Sequence, residues 1–360
     1  MALHIIELSG TPYEIGYGHG SSCKEQVLAS LNYYTKVCAN LGISWDKCRR
    51  IGKTYEEAIR AFDPDLLEEM RGIADGSGLD YEDILTINAR SELTRMDMTD
   101  KLAELDLLSG GCTAFALMPP VTRGGKTIHA QTWDFGTMQR AALVIFRIRQ
   151  KPAKEDVLMI TEGGLVGGKG INSAGVSLTL NAMRTSGDPS GVPLHAIMRG
   201  MLNASTITGA YRVAAANRCG AAACVILGAK ECALAVEMVP GDLEVFYPVC
   251  GHVVHTNHIL SHRFRDIVDY GKRKSSSSYL RYGRCSALLH ERKDITLQDV
   301  KDILSDHVGY PTGICIHADT TKAPELQEST NYAVIFDLDE QIVHLCMGNP
   351  CEGTYEQIKL

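Results

Sequence analysis

Asp106-Leu107-Leu108-Ser109-Gly110-Gly111-Cys112-Thr113-Ala114 divides the chain into two textures. Upstream, residues 12–107 place apolar side chains three and four apart, most clearly over 25–37, 45–62, 65–74 and 81–92. That is the spacing of amphipathic helices. Asp63-Pro64 and Gly76-Ser77-Gly78 supply breaks, and Asp80 can cap the helix that follows. Residues 106–111 read as a loop whose glycine pair permits unusual backbone angles. From Cys112 onward the runs are short, apolar and bounded by Gly, Pro or Asn: 112–118, 126–131, 142–149, 156–161, 175–180, 224–228, 233–238 and 243–247. These are strand signals. Helical runs at 193–203 and 206–216 interrupt them, and a third, 286–291 continuing through 297–305, precedes a last strand pair at 332–337 and 341–347. The order predicts an α+β protein of stacked layers, two antiparallel sheets with helices outside.

Composition narrows the function classes. A chain of 360 residues, 45% hydrophobic, can bury a large core as one big domain or two ordinary ones. Its net charge of -7 gives no electrostatic reason to bind nucleic acid or an anionic membrane. Apolar stretches such as 221–227 are too short to span a bilayer. Residues 1–10 lack a basic start followed by an apolar run, so no secretory signal is expected. The twelve cysteines are therefore expected to be reduced and mostly buried, and a special one must be identified by its neighbours. No internal repeat is visible, and the serine-rich 272–278 reads as a mobile surface loop.

Gly111-Cys112 is the candidate for chemistry. A thiol at the start of a buried strand, directly after glycine, can attack the unhindered Gly111 carbonyl in an N-to-S acyl shift, and water can then hydrolyse the thioester. Cleavage would leave Cys112 with a free α-amine of pKa roughly 7.7–8, suited to general-base work. Gly-Cys pairs also end ordinary loops, so spacing alone leaves both readings open. A competing site uses His252, His255, His258 and His262, with Cys250 close by. Helical imidazoles at that spacing could hold zinc. Val253-Val254 is β-branched, however, and a strand would send these side chains to opposite faces, so no metal is assigned. At the other end, Ile358-Lys359-Leu360 lacks the small residue that peroxisomal signals carry third from the end. The cytosol is the expected compartment and the peroxisome the alternative.

Several motifs in order carry a resemblance. They are Gly10-Thr11-Pro12-Tyr13-Glu14-Ile15-Gly16-Tyr17-Gly18-His19-Gly20, Glu69-Met70-Arg71-Gly72-Ile73-Ala74, Gly111-Cys112-Thr113-Ala114, Trp133-Asp134-Phe135, Ile160-Thr161-Glu162-Gly163-Gly164-Leu165, Gly170-Ile171-Asn172-Ser173-Ala174-Gly175 and His255-Thr256-Asn257-His258. Together they resemble the fungal acyl-coenzyme A:6-aminopenicillanate acyltransferase family (isopenicillin N acyltransferase, peptidase C45).

The resemblance implies a four-layer αββα Ntn-hydrolase fold, made as a precursor that cuts itself before Cys112. A helical segment, 1–111, and a β segment, 112–360, would then stay associated as one domain. It implies Cys112 as nucleophile, Asp134 beside it to orient the ammonium and thiol, and Asn257 with its amide towards the developing oxyanion. Asn172 and Asn181 could line the acyl pocket or serve the turn. Arg281 and Arg284 match a family pattern and read as structural. The implied reaction is acyl transfer through S-acyl-Cys112 in secondary metabolism, from a coenzyme A thioester or an amide to a small amine. Amide hydrolysis is the alternative. No cofactor is implied beyond the thioester as co-substrate, and no nucleic-acid or membrane partner. Two departures matter. Leu326-Gln327 stand where the penicillin-making members have Ser-Arg, and Ala221-Ala222-Ala223 where they have a serine. Gln327 is the substituted substrate-binding position, with Lys322 near enough in sequence to replace the charge. An arginine pairs bidentately with a carboxylate and glutamine does not, so poor transfer to 6-aminopenicillanate is expected.

Overall fold

Strands with apolar residues on both faces need cover on both sides, and the chain supplies it in layers. The computed structural model describes residues 3–93, 111–271 and 276–360. An eight-stranded sheet runs in the order β1 (Ile5–Gly10), β4 (Leu143–Gln150), β5 (Val157–Glu162), β6 (Lys169–Asn172), β7 (Ser177–Met183), β8 (Ala222–Ala229), β9 (Cys232–Val239), β10 (Asp242–Phe246). A six-stranded sheet runs β11 (His252–His255), β2 (Cys112–Leu117), β3 (Ile128–Gly136), β12 (Glu328–Asp337), β13 (Ile342–Met347), β14 (Glu356–Lys359).

Alternation along the strands decides what each face meets. Ile145, Leu158, Ile160 and Ile171 of the first sheet join Cys112, Trp133, Tyr332, Val334 and Phe336 of the second in one buried cluster between the sheets. Val144, Phe146, Met159 and Leu178 face the other way. They pack under the layer formed by α1 (Pro12–Ser22), α2 (Lys24–Asn40), α3 (Trp45–Lys53), α4 (Glu56–Phe62), α5 (Asp65–Ser77), α6 (Tyr81–Asn88), α7 (Arg90–Leu93), α8 (Leu194–Leu202) and α9 (Ile207–Ala216). Phe115, Leu117, Ala130 and Ile335 pack under α10 (Ser276–Glu291) and α11 (Leu297–Leu304). The result is the expected αββα sandwich.

Several local expectations need correction. The first sheet is not wholly antiparallel, because β1 pairs with β4 in parallel. A parallel partner needs a long crossover, and the helical half of the chain provides one. The segment read as helical thus also contributes a strand. The run expected at 45–62 is two helices, α3 and α4, divided at Thr54-Tyr55; that expected at 81–92 is α6 and α7; and the helical run expected from 286 begins at Ser276. Ser278 is fully buried in α10, so this end of the expected surface loop is helix; 272–275 lie outside the described residues, as do 94–110 with the loop read at 106–110. Among the described residues no helix is long and apolar enough to cross a membrane.

The motif at the first helix is built for packing. Thr11 accepts from the Glu14 N–H while Glu14 accepts from the Thr11 N–H, a capping box with Pro12 in the first turn. A Cβ on Gly16 would stand 1.9 Å from the Glu69 carbonyl oxygen, and one on Gly72 would stand 2.2 Å from that of Tyr13. Helices α1 and α5 therefore touch backbone to backbone, and only glycine fits there.

Candidate active site

Cys112 is the first residue of β2 and pairs with Trp133 of β3, so Asp134 is the next residue along the neighbouring strand. The backbone N–H of Asp134 donates to the Gly111 carbonyl at 2.8 Å. Its carboxylate is fully buried and accepts from the Thr330 hydroxyl at 2.6 Å and the Thr132 hydroxyl at 3.4 Å. A shift of register in β12 between Thr330 and Tyr332 marks an irregularity of the kind that re-aims side chains beside functional sites.

Asn257 comes from the turn after β11. Its Oδ1 accepts from the Cys112 N–H at 2.7 Å and from Arg281 Nη2 at 3.0 Å, while its Nδ2 donates to the Ala182 carbonyl at 2.9 Å. Two donors converge on one side of the amide and an acceptor stands on the other, which fixes its orientation. The turn is pinned: Glu237 accepts from His255 Nε2 and from the N–H groups of Leu260 and Ser261, and Ser278 Oγ accepts from the Asn257 N–H. In this uncleaved chain Asn257 thus offers an oxygen to the Cys112 nitrogen and not an amide donor to an oxyanion. The donor facing the Gly111 carbonyl is the backbone of Asp134.

The Cys112 carbonyl receives Arg281 Nη1 at 2.7 Å and Asn181 Nδ2 at 3.0 Å. Asn181 reaches across from β7 because the inward faces of β7 and β3 meet through polar groups. His129 bonds Ser177 and Thr179 on its two ring nitrogens, each at 2.8 Å, and Gln131 Nε2 donates to the Leu180 carbonyl. Asn181 Oδ1 and the Tyr332 hydroxyl are buried with no protein partner among the described residues. Unspent buried polar atoms beside a thiol are available to a bound molecule.

Electrostatics at Cys112 are opposed. Burial pushes its thiol up to about 11, against the pull of Lys169. Lys169, at the head of β6, is buried with its Nζ 4.5 Å from the Trp133 ring centroid. Desolvation brings this lysine down to about 8, although Cys112 and Glu162 favour its charge. Burial likewise raises Asp134 to about 7, with Arg281 pulling it down. The two buried cations, Lys169 and Arg281, thus pull the thiol down while burial and the Asp134 carboxylate push it up, and the balance lies with the neutral thiol.

Not every expected residue joins this group. Asn172 faces the other way: its Nδ2 donates to the Leu202 and Ala204 carbonyls and its Oδ1 accepts from the Val176 N–H. That is the turn role, not the pocket role. Gln327 donates its side-chain amide to the Lys322 carbonyl at 3.0 Å, within its own loop. Arg284 pairs with Asp306 on the outer helix layer. Arg281, read as structural, touches both Cys112 and Asn257. His255 and His258 serve the Asn257 turn through Glu237 and Ser278, and do not converge with His252 and His262. Lys169 was missed; its signal was one charge inside the glycine-rich apolar run 163–171.

The family model for acyl-coenzyme A:6-aminopenicillanic acid acyl-transferase matches residues 121–352. The 40 kDa form of acyl-coenzyme A:6-aminopenicillanic-acid-acyltransferase from Emericella nidulans is 28% identical over 358 residues, covering 97% of this chain and 93% of that one. An uncharacterized protein of Archaeoglobus fulgidus is 26% identical over 195 residues, 49% of this chain and 32% of its own length. Among solved structures, penicillin V acylase from Agrobacterium tumefaciens superposes with a TM-score of 0.43 and 14% identity, over 69% of this chain and 86% of its own. A conjugated bile acid hydrolase from Clostridium perfringens gives 0.44 and 14%, over 69% and 97%.

Proposed function

The chain belongs to the acyl-coenzyme A:6-aminopenicillanic acid acyl-transferase family, and on that premise we propose that it cleaves itself at Gly111-Cys112 and then transfers acyl groups through S-acyl-Cys112. The observation that carries this reading is the pair of hydrogen bonds across the junction: Asp134 N–H to the Gly111 carbonyl and Cys112 N–H to Asn257 Oδ1.

In self-cleavage the Cys112 sulfur attacks the Gly111 carbonyl carbon. Charge gathers on the carbonyl oxygen, where the Asp134 N–H already points; one such donor is worth about 3 kcal/mol. The carbon–nitrogen bond breaks, the nitrogen takes a proton, and Asn257 Oδ1 holds it in place. Water then hydrolyses the thioester, releasing the Gly111 carboxylate and leaving Cys112 with a free thiol and α-amine. Before the cut no α-amine exists, so the thiol proton needs another acceptor, and Asp134 and Lys169 are the buried candidates.

In turnover the α-amine takes the thiol proton and the thiolate attacks the donor carbonyl. That carbonyl occupies the place vacated by Gly111 and meets the same Asp134 N–H. The thiol of coenzyme A, or an amine, leaves with the proton, and a small amine then attacks S-acyl-Cys112. Water at this step gives hydrolysis of the same intermediate. Arg281 and Asn181 on the Cys112 carbonyl keep the new terminus from fraying. The two segments stay together because β1 and the Asp134 network are woven into shared sheets.

The test is direct. Purified wild-type protein should show two bands on a denaturing gel, and sequencing of the larger should begin Cys-Thr-Ala. Cys112→Ala should stay one chain; splitting of that variant at the same bond would assign the cut to another protease. Cleaved protein incubated with an acyl-coenzyme A, with and without amines, separates transfer from hydrolysis.

A further inference from the structure

Away from this site, His307, Cys315, His317 and Cys351 turn one ligand atom each towards a common point, all within 4.8 Å of one another. Three sit in the loop that follows α11, and Cys351 comes from the turn between β13 and β14. The four edges that can be measured are His307 Nε2 to His317 Nε2, 3.0 Å; Cys315 Sγ to His317 Nε2, 3.6 Å; Cys315 Sγ to Cys351 Sγ, 3.6 Å; and Cys351 Sγ to His317 Nε2, 3.3 Å. A tetrahedral zinc with bonds of about 2.3 Å to sulfur and about 2.0–2.1 Å to nitrogen has edges of roughly 3.8 Å between sulfurs, roughly 3.5 Å between sulfur and nitrogen and roughly 3.3 Å between nitrogens. These four edges match such a site to within a few tenths of an ångström, and the two from His307 to the cysteines lie within 4.8 Å.

We propose that these four residues form a structural zinc site that staples the loop after α11 to the turn before β14. The donor set argues for zinc: two thiols and two imidazoles are the composition of closed structural sites, with no position left for substrate. The surroundings are those of ligands held in place. Glu352 Oε1 stands 3.7 Å from His317 Nδ1, behind the ring, leaving Nε2 for the metal. Asn349 Nδ2 lies 3.5 Å from Cys315 Sγ and donates to the Ile316 carbonyl at 2.7 Å. Zinc enters as the two thiols lose their protons to solvent, leaving a neutral centre of one dication and two thiolates.

The position gives the staple a mechanical consequence. Ile316, between ligands Cys315 and His317, exchanges hydrogen bonds with Thr330, its N–H donating to the hydroxyl at 2.9 Å and its carbonyl accepting from the Thr330 N–H at 2.9 Å. Thr330 in turn holds Asp134. Binding of zinc to the folded chain alone therefore stabilises the fold and this segment with it.

The full chain, cleaved or not, should be purified under reducing conditions without chelator and its metal measured by mass spectrometry. About one zinc per chain is expected. Cys351→Ser and His317→Ala should lose it, and Cys250→Ser, an exposed cysteine elsewhere, should keep it. Cobalt added to stripped wild-type protein should give the thiolate charge-transfer band and the intense visible bands of a tetrahedral site; this arm does not depend on any variant folding. Folded wild-type protein that takes up neither metal from buffered solution would overturn the proposal. So would zinc retained by Cys351→Ser, or a Cys315–Cys351 disulfide in freshly purified, metal-free protein.

Discussion

Gly111→Ala places one methyl group at the residue whose carbonyl the Cys112 thiol attacks in the proposed self-cleavage. A Cβ there would stand 3.0 Å from Ile316 Cδ1, 3.1 Å from Arg281 Nη2 and 3.3 Å from Arg281 Cζ. Comfortable contacts lie near about 3.5–4.0 Å, so Arg281 and Ile316 must yield by a few tenths of an ångström. Arg281 is fully buried and already bonded to Cys112, Thr113 and Asn257. Pushing its Nη2 outward stretches the 3.0 Å bond to Asn257 Oδ1 towards the limit of a useful hydrogen bond. A hydrogen bond to a charged group is worth about 1.5–3 kcal/mol, and losing part of it misplaces the amide that holds the Cys112 nitrogen. Cleavage should slow by about fivefold to thirtyfold, since about 1.4 kcal/mol is a factor of ten. The assay is the rate of band splitting after synthesis in a cell-free system, with circular dichroism to show that the fold is kept. Ile316→Val in the same chain removes Cδ1, opens room on that side and should recover part of the rate. Cleavage of the single variant at the wild-type rate would refute the reasoning, and so would a failure of the second change to help.

Asp134→Asn should remove the limb of the cleavage pH profile near 7, where wild-type cleavage speeds up as this carboxyl ionises. Because burial raises Asp134 from 3.8 to about 7, its contribution to stability is full below pH 3.8 and lost as pH rises through 7. The melting temperature of Cys112→Ala should therefore fall across that window, and the fall should shrink when Asp134→Asn is added. Asn257→Ala should slow band splitting of the purified chain, because the Oδ1 that holds the Cys112 nitrogen is lost, with the melting temperature tracking stability. Lys169→Met removes a charge that pulls the Cys112 thiol down, so iodoacetamide labelling of the cleaved enzyme should shift to higher pH. Transfer to 6-aminopenicillanate should be poor against other small amines and water, in steady-state comparison, because Gln327 spends its amide on the Lys322 carbonyl and brings no charge.

The layers were legible because their causes are local. Apolar spacing of three and four upstream of Gly111 and short bounded runs after it become helices and strands within a few residues of where they were read. What escaped was pairing. β1, β6, β11 and β14 have four to six residues each, too short for alternation to stand out. Their strand character comes from neighbours: β1 exists as the edge partner of β4, and β14 as that of β13.

The site divides along the same line. Cys112 and Asp134 stood out through the Gly-Cys-Thr-Ala and Trp-Asp-Phe motifs of the family resemblance, and the fold brings them together because β2 and β3 are consecutive paired strands. Asn172 and Asn181 looked equivalent in the sequence, and pleat parity separates them. Leu178 and Leu180 of β7 face the helices, which sends Ser177, Thr179 and Asn181 inward towards β3 and Cys112. Asn172 ends β6 on the helix side, under Leu202. Arg281 lies 169 residues from Cys112 and Lys169 57 residues from it, so only the folded layers could show that both charges bear on one thiol. The zinc ligands make the same point for a second site. The densest histidine run, 252–262, drew attention, yet its strand segment sends its imidazoles to separate tasks. The residues that do converge are scattered from His307 to Cys351 and meet only because β13 returns the chain to the loop it left. Side chains that meet in the fold were thus visible in the sequence where a family motif marks them, and hidden wherever separate layers or loops must come together without one.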